Sequence, residues 1–69
     1  MDSPRTNIRG DKFWFNSQGQ VHRDNGPAIE FVHGGRSWMI NGLAHREDGP
    51  AIEYATGEKE WYLNGKRII

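Results

Sequence analysis

The chain has 69 residues and a mass of 7.9 kDa, which is room for one small domain with a thin core. Nine basic and nine acidic side chains give a net charge of zero, which argues against a nucleic-acid binder that works through bulk charge and against a polybasic membrane anchor. Without cysteine, the sequence forms no disulfide and no thiolate zinc site. Nine glycines and 12% aromatic residues are typical of a turn-rich β protein.

The first twelve residues are polar and lie outside the pattern that occupies the rest of the chain. They contain Pro4 and Gly10, which interrupt regular structure. We predict an N-terminal arm over 1–12, whose order the sequence leaves open, followed by a single β domain over 13–69.

A 23-residue repeat fills this β domain. Residues 22–42 and 45–65 are identical at 11 of 21 aligned positions, and the same offset places Phe15 at the position of Trp38. Such self-similarity is the signature of a repeat architecture. The predicted units are a half unit over 13–21, a full unit over 22–44, and a unit over 45–67 with the end of the chain.

Each unit predicts two short strands that are separated by turns. In the full unit, segments 28–32 and 36–40 alternate between apolar and polar residues, with Gly34 and Gly35 between them. Asn41-Gly42 follows, and Asn-Gly beside alternating segments is a strong hairpin signal. We therefore predict an all-β fold, a single antiparallel β-meander of five or six short strands.

Side-chain alternation predicts one apolar face and one mostly polar face for this sheet. We expect Trp14, Met39 and Tyr62 to project from the polar face as exposed exceptions. No remaining segment offers a good cover for the apolar face, so we expect another chain to bury it, as a homodimer or a complex. The predicted core face contains Phe13, Phe15, Ile29, Phe31, Trp38, Ile40, Ile52, Tyr54, Trp61 and Leu63.

The segment 38–51 contains Trp-x-x-Asn-Gly followed by His-Arg-x-Asp-Gly-Pro-Ala. This combination resembles a variant of the MORN repeat (membrane occupation and recognition nexus), a β-hairpin unit that occurs in tandem. The resemblance covers the whole repeat domain, and it implies an antiparallel meander and a binding role. The sequence departs from the pattern at Phe15, where Trp is usual, at Asn25, where the next unit has Asp, and at Ile68, where His is expected.

The repeated polar residues favour a structural role over chemistry. His22 and His45 are expected two strands apart, roughly 10 Å, which is too far to share a zinc ion, so we predict no metal site and no cofactor. We predict instead that each His-Arg pair braces its turn against Asp24, Glu47 or Asp48. No serine has the context of a nucleophile, and the repeat duplicates most carboxylates, so we predict no catalytic residue and no enzyme.

Residues that break the repeat are the candidates for binding, because exposed rings and Met are enriched at protein interfaces. We predict a non-catalytic protein-binding module. Variants of the repeat that this chain resembles occur in small phage and bacterial proteins. The specific hypothesis is therefore a phage-type inhibitor that covers the surface of a bacterial defence protein, for example an anti-CRISPR, in the host cytoplasm. The predicted partner-binding residues are Trp14, Met39, Tyr62, Lys66 and Arg67.

Two alternatives stay open. The first is a small-molecule or nucleotide sponge that holds its ligand between subunits with aromatic rings and with Arg23 or Arg46. The second is a structural or antitoxin-like repeat module. Nucleic acid fits poorly, because segment 47–60 carries five acids against one lysine. Membrane binding has neither a basic face nor a hydrophobic helix to support it.

Overall fold

The computed structural model describes residues 3–69, so the first two positions of the predicted arm lie outside the described residues. The described chain forms ten short β-strands. Within residues 3–69, no helix has the length and apolarity needed to cross a membrane. In chain order the strands are β1 (Arg5–Thr6), β2 (Lys12–Phe13), β3 (Ile29–Glu30), β4 (Arg36–Ser37), β5 (Met39–Ile40), β6 (Leu43–Ala44), β7 (Ile52–Glu53), β8 (Lys59–Glu60), β9 (Tyr62–Leu63) and β10 (Lys66–Arg67).

Six of these strands form one antiparallel sheet in the order β1-β2-β3-β4-β7-β8. Sequential strands are neighbours throughout, except that the hairpin β5–β6 intervenes between β4 and β7. The predicted all-β, antiparallel meander of hairpins is therefore confirmed, with six strands in the main sheet.

A second row of hairpins extends the main strands. It consists of β5–β6, β9–β10 and the bridge between Phe15 and Val21. Backbone hydrogen bonds join successive members of the row: Gly42 N–H donates to the carbonyl of Val21 at 2.9 Å, and Gly65 N–H donates to the carbonyl of Ala44 at 2.8 Å. Both the main sheet and the hairpin row are thus continuous from unit to unit.

The described part of the predicted arm is a hairpin on the edge of the main sheet. Strand β1 pairs with β2, and the turn between them is organised by Asp11, which is buried. The Asp11 carboxylate accepts hydrogen bonds from Val32 N–H at 2.8 Å, the Asn7 amide at 3.0 Å and Arg9 Nε at 3.1 Å. These donors, Val32 N–H first, lower the pKa of Asp11 to about 2. Strand β1, from the predicted arm, is therefore the sixth strand of the main sheet.

The register of the β3–β4 hairpin corrects the predicted core face. Ile29 pairs with Ser37 because the connecting loop has three central residues, closed by Gly34 at φ 108°. Paired residues share a face, so Trp38 lies on the face opposite Ile29. A shift of one residue moves every following side chain across the sheet. The predicted core face is therefore wrong, because the face that carries Ile29 and Ile52 does not include Trp38, Ile40, Trp61 and Leu63.

The alignment of the first unit is also corrected by the structure. Trp14, rather than Phe15, occupies the position of Trp38: Trp14 N–H donates to Ala28 and Trp38 N–H donates to Ala51 in the same way. The first hairpin turn holds one extra residue, which shifts the offset from 23 to 24. Trp14 is 7% exposed, so the prediction of an exposed Trp14 is wrong.

Candidate functional site

One face of the molecule, here called the arginine face, carries the repeated His-Arg-x-Asp-Gly-Pro motif. In the second motif, the Arg46 guanidinium lies 3.8 Å from the centre of the Trp38 ring, a cation–π contact. Its Nη1 donates to the Pro50 carbonyl at 3.1 Å and to the Glu53 carboxylate at 3.5 Å. A Cβ at Gly49 would lie 2.9 Å from Arg46 Cζ, so only glycine leaves room for the stacked guanidinium.

The first motif repeats this arrangement. Arg23 lies 3.8 Å from the Trp14 ring centre, and its Nη1 donates to the Pro27 carbonyl at 3.1 Å and to Glu30 at 3.4 Å. The two arginines, proposed from the sequence as ligand contacts, are thus engaged in holding one unit against the next.

The histidines join each motif to the following hairpin turn. His22 Nδ1 accepts the N–H of Asn41 at 2.9 Å, so its proton sits on Nε2, which donates to Asp24 at 3.0 Å. Asn41 has φ 51°, the left-handed conformation that an Asn-Gly turn needs. The second motif has the same contacts through His45, Asn64 and Glu47. The predicted bracing of the turns by His, Arg and nearby acids is confirmed.

The two motifs differ at Asp24/Glu47 and at Asn25/Asp48, and the second difference changes the contacts of the arginine. Arg46 Nε donates to Asp48 at 3.3 Å, whereas Asn25 stands at the equivalent position in the first motif. Within the described residues, Arg23 Nε is buried without a hydrogen-bond partner. The hydrogen-bonding capacity of the arginine is therefore less completely used in the first motif than in the second.

A groove of about 760 Å³ runs between the two motifs on the arginine face. Trp38 and Ile40 contribute its apolar lining, and Asp24, Glu47 and Asp48 contribute carboxylates. Since the arginine side chains are held by rings, carbonyls and carboxylates, the groove offers an anionic ligand little free positive charge.

The opposite face, here called the aromatic face, is apolar and open. Cross-strand pairing aligns Phe13, Ile29, Ser37, Ile52 and Glu60 in one row. Further rings lie on either side of this row, and an apolar groove of about 420 Å³ runs between two of them. The apolar members of the face are Phe13, Phe15, Ile29, Phe31, Met39, Ile52, Tyr54 and Tyr62.

Exposure distinguishes the aromatic face from the core. Phe31 is 40% and Tyr54 43% exposed, and Phe15 is 38% exposed. By contrast, the buried apolar side chains of the described chain are Trp14, Ala28 and Ala51. Three of the eight aromatic side chains are therefore exposed, and all three lie on the aromatic face.

Charged groups lie at the two ends of the aromatic face. At the β8 end, Tyr62 Oη donates to Glu60 at 3.1 Å, and Arg67 Nη1 lies 3.8 Å from the same carboxylate. Desolvation and the negative charge of Glu60 raise the pKa of Tyr62. At the other end, the Arg5 guanidinium lies 5.2 Å from the centre of the Phe15 ring.

The structure divides the predicted partner-binding residues between the two faces. Met39, Tyr62 and Arg67 belong to the aromatic face: Met39 Sδ accepts a hydrogen bond from Ser37, and Arg67 pairs in register with Tyr62. Trp14 lies in the core, and Lys66 pairs with Leu63, toward the other face. The predicted core face includes Phe31 and Tyr54. Because no segment of the chain offers a good cover for that face, the sequence already indicates that these rings need a partner chain.

The residues of the two faces also differ in how they repeat. The motif residues of the arginine face recur almost unchanged, and the histidines and arginines have equivalent contacts in both motifs. On the aromatic face, by contrast, several equivalent positions hold different side chains in each unit. Equivalent positions there hold Phe13, Ser37 and Glu60; Phe15, Met39 and Tyr62; and Phe31 and Tyr54.

Among residues 3–69, no group of three or more histidine, aspartate or glutamate side chains is placed to hold a metal ion. Comparison with protein-family models, with curated proteins and with solved structures finds no match.

Proposed function

We propose that this chain is a non-catalytic binding module that holds another protein chain against its aromatic face. The observation that carries the proposal is the separation of the two faces. The repeated histidines and arginines are engaged in contacts on the arginine face, while exposed rings form an open apolar surface on the other. Surfaces of this kind, with rings and a methionine, have the composition of interface centres.

The polar groups of the molecule support a structural rather than a catalytic use. Arg23 and Arg46 each bind a ring, a carbonyl and a carboxylate, and the histidines bind turn amides. A catalytic group must be free to meet a substrate and to change its protonation state. Here the same contacts occur in both motifs, which is what unit-to-unit bracing requires.

A finer proposal follows from the resemblance to the MORN-repeat variants of phage and bacterial proteins. In that proposal the bound chain is a bacterial defence protein, and the module inhibits it by covering its surface. The aromatic face supports binding to protein in general, and the identity of the bound chain is decided by the experiment below.

The nucleotide sponge is the less favoured function, because its proposed contacts Arg23 and Arg46 are already engaged. An absorption spectrum of the purified protein tests it directly. A bound nucleotide would add absorbance on the short-wavelength side of the protein band, and its absence after gentle purification would dismiss the sponge.

In-cell photo-crosslinking tests the binding function. The photoreactive residue benzoylphenylalanine replaces Phe31 on the aromatic face in one variant and Leu43 on the other side in its control, two positions that are 40% and 48% exposed. We expect a discrete protein adduct in bacterial cells from position 31 and none from position 43. The adduct mass identifies the bound chain. Equal crosslinking at both positions, or none at position 31, would contradict the proposed function.

A further inference from the structure

The size of the aromatic face fits a stable protein interface. The molecule measures 30 × 27 × 15 Å, so its broad side covers about 800 Å². A standard protein–protein interface buries about 800 Å² on each partner. The chain is also thin, and packing a second sheet about 10 Å away would complete a two-layer core that one sheet lacks.

The pattern of residues on this face is symmetric about its fourth strand. Strands β3 and β7 flank β4, and they carry Ile29 and Ile52 in one row. The same two strands lead into Phe31 and Tyr54, one ring on each side. A rotation of 180° about an axis along β4 therefore exchanges the two isoleucines and the two rings with one another, and at the ends of the row it sets Phe13 of one copy opposite Glu60 of the other.

The outer positions follow the same symmetry. Phe15 lies two residues after the end of β2 and Tyr62 two residues after the end of β8, two strands away from β4 on either side, while Met39 lies two residues after the end of β4. When two copies pack face to face about this axis, the ring of Phe15 meets Tyr62 of the other copy, and the two Met39 side chains meet at the axis. An isologous interface needs this kind of self-complementary patch.

Charge does not oppose the same arrangement. Arg5 lies on β1, three strands from β4, and Glu60 lies on β8, two strands from β4 on the other side. The rotation therefore places Arg5 of one copy outside β8 of the other, where Glu60 is already paired with Arg67 at 3.8 Å. The net charge of the chain is zero, so two copies have no overall repulsion to overcome.

From this symmetry we infer that the aromatic face is occupied by a second copy of the chain, packed face to face about a twofold axis along β4. The inference rests on the proposed function, since it names the chain that the aromatic face holds, and it replaces the defence protein of the finer proposal at that face, because one face holds one occupant. The resulting β-sandwich buries the exposed rings and leaves both arginine faces outward.

Light scattering during size exclusion, over a range of loading concentrations, measures the assembly. We expect the intact protein to have twice the 7.9 kDa mass of the chain. Phe31→Glu and Tyr54→Glu each place a charge in the interface centre, and each should weaken dimerisation by at least about 30-fold. Leu43→Glu and Leu63→Glu, at similarly exposed positions on the other side, should leave the dimer intact. Circular dichroism verifies the fold of each variant.

The outcomes separate the inference from the proposed function. An intact protein that stays at the mass of one chain at every concentration overturns the inference, as does a dimer that Leu43→Glu dissociates and Phe31→Glu does not. If such a monomer still crosslinks to another protein from position 31, the proposed function stands. If position 31 crosslinks to nothing, both fail.

Discussion

The two faces of this small sheet both carry apolar side chains but use them differently. On the arginine face, Trp14 and Trp38 are each capped by a guanidinium at 3.8 Å and tied to the next unit through backbone bonds. On the aromatic face, Phe31 and Tyr54 remain about two-fifths exposed. The repeat motif therefore stabilises the chain through its contacts on the arginine face, which leaves the aromatic face available for a second protein surface.

The largest effect is expected at a ring on which an arginine stacks. Trp38→Ala removes the ring on which Arg46 stacks, and loss of a packed ring of this size costs about 3–5 kcal/mol. That is comparable to the whole stability of a small domain, so we expect the variant to be largely unfolded at room temperature. Urea denaturation followed by circular dichroism measures the free energy of unfolding of this variant.

Leu63→Ala is the matched control for Trp38→Ala. Leu63 is 38% exposed and caps no arginine, so its removal should cost roughly 1 kcal/mol or less. A Trp38→Ala variant that denatures at the parent's midpoint would show that the arginine face is not what stabilises the chain.

A smaller effect is expected at the glycines under the arginines. A Cβ at Gly49 would lie 2.9 Å from Arg46 Cζ, and one at Gly26 would lie 3.3 Å from Arg23 Cζ. Gly49→Ala should therefore displace its guanidinium and cost about 1–3 kcal/mol, more than Gly26→Ala. Denaturation curves of the two variants measured in parallel rank their losses of stability. A larger loss for Gly26→Ala than for Gly49→Ala would contradict the stacked geometry.

Acid should weaken the edge of the main sheet through Asp11. Because the pKa of Asp11 is lowered to about 2 from 3.8, its carboxylate stabilises the fold fully above about pH 4. That contribution is lost as the pH falls from about 4 to 2, when the folded-state carboxylate takes up its proton.

Melting temperatures between neutral pH and pH 2 test this loss by comparing the parent with Asp11→Asn. We expect the parent to be more stable at neutral pH and the two curves to converge in acid. A constant difference between them at all pH values would exclude Asp11 as the titrating group.

The smallest effect is expected at Asn25, where the second motif has Asp48. Asn25→Asp gives the buried Arg23 Nε the acceptor that Asp48 gives Arg46, and it should raise stability by up to about 1 kcal/mol. For a domain of this size, that corresponds to a rise in melting temperature of about 4–8 °C at most. Asp48→Asn is the reciprocal change and should lower the melting temperature. A lower melting temperature for Asn25→Asp, or a higher one for Asp48→Asn, would show that the Asp–Arg pair does not stabilise the fold.

The repeat in the sequence was sufficient to predict the meander, because its Asn-Gly turns and alternating segments act locally. It was not sufficient to predict the faces. The three-residue loop before Gly35 sets the register of β4, and the extra residue after Trp14 shifts the first unit; both are geometric details that periodicity alone does not resolve. The arginine stacking on tryptophan was also missed, since it joins residues that only the correct register brings together.

Oxidative footprinting of the native protein tests most directly whether the aromatic face is a protein interface. Hydroxyl radicals label exposed side chains, and the rates at Phe31 and Tyr54 are compared with those at Leu43 and Leu63, each normalised to the unfolded chain. All four are 38–48% exposed in the isolated chain. We predict that the two rings are protected several-fold more than the two leucines, and that Phe31→Glu removes the protection of Tyr54. Equal normalised labelling at all four positions would contradict the account.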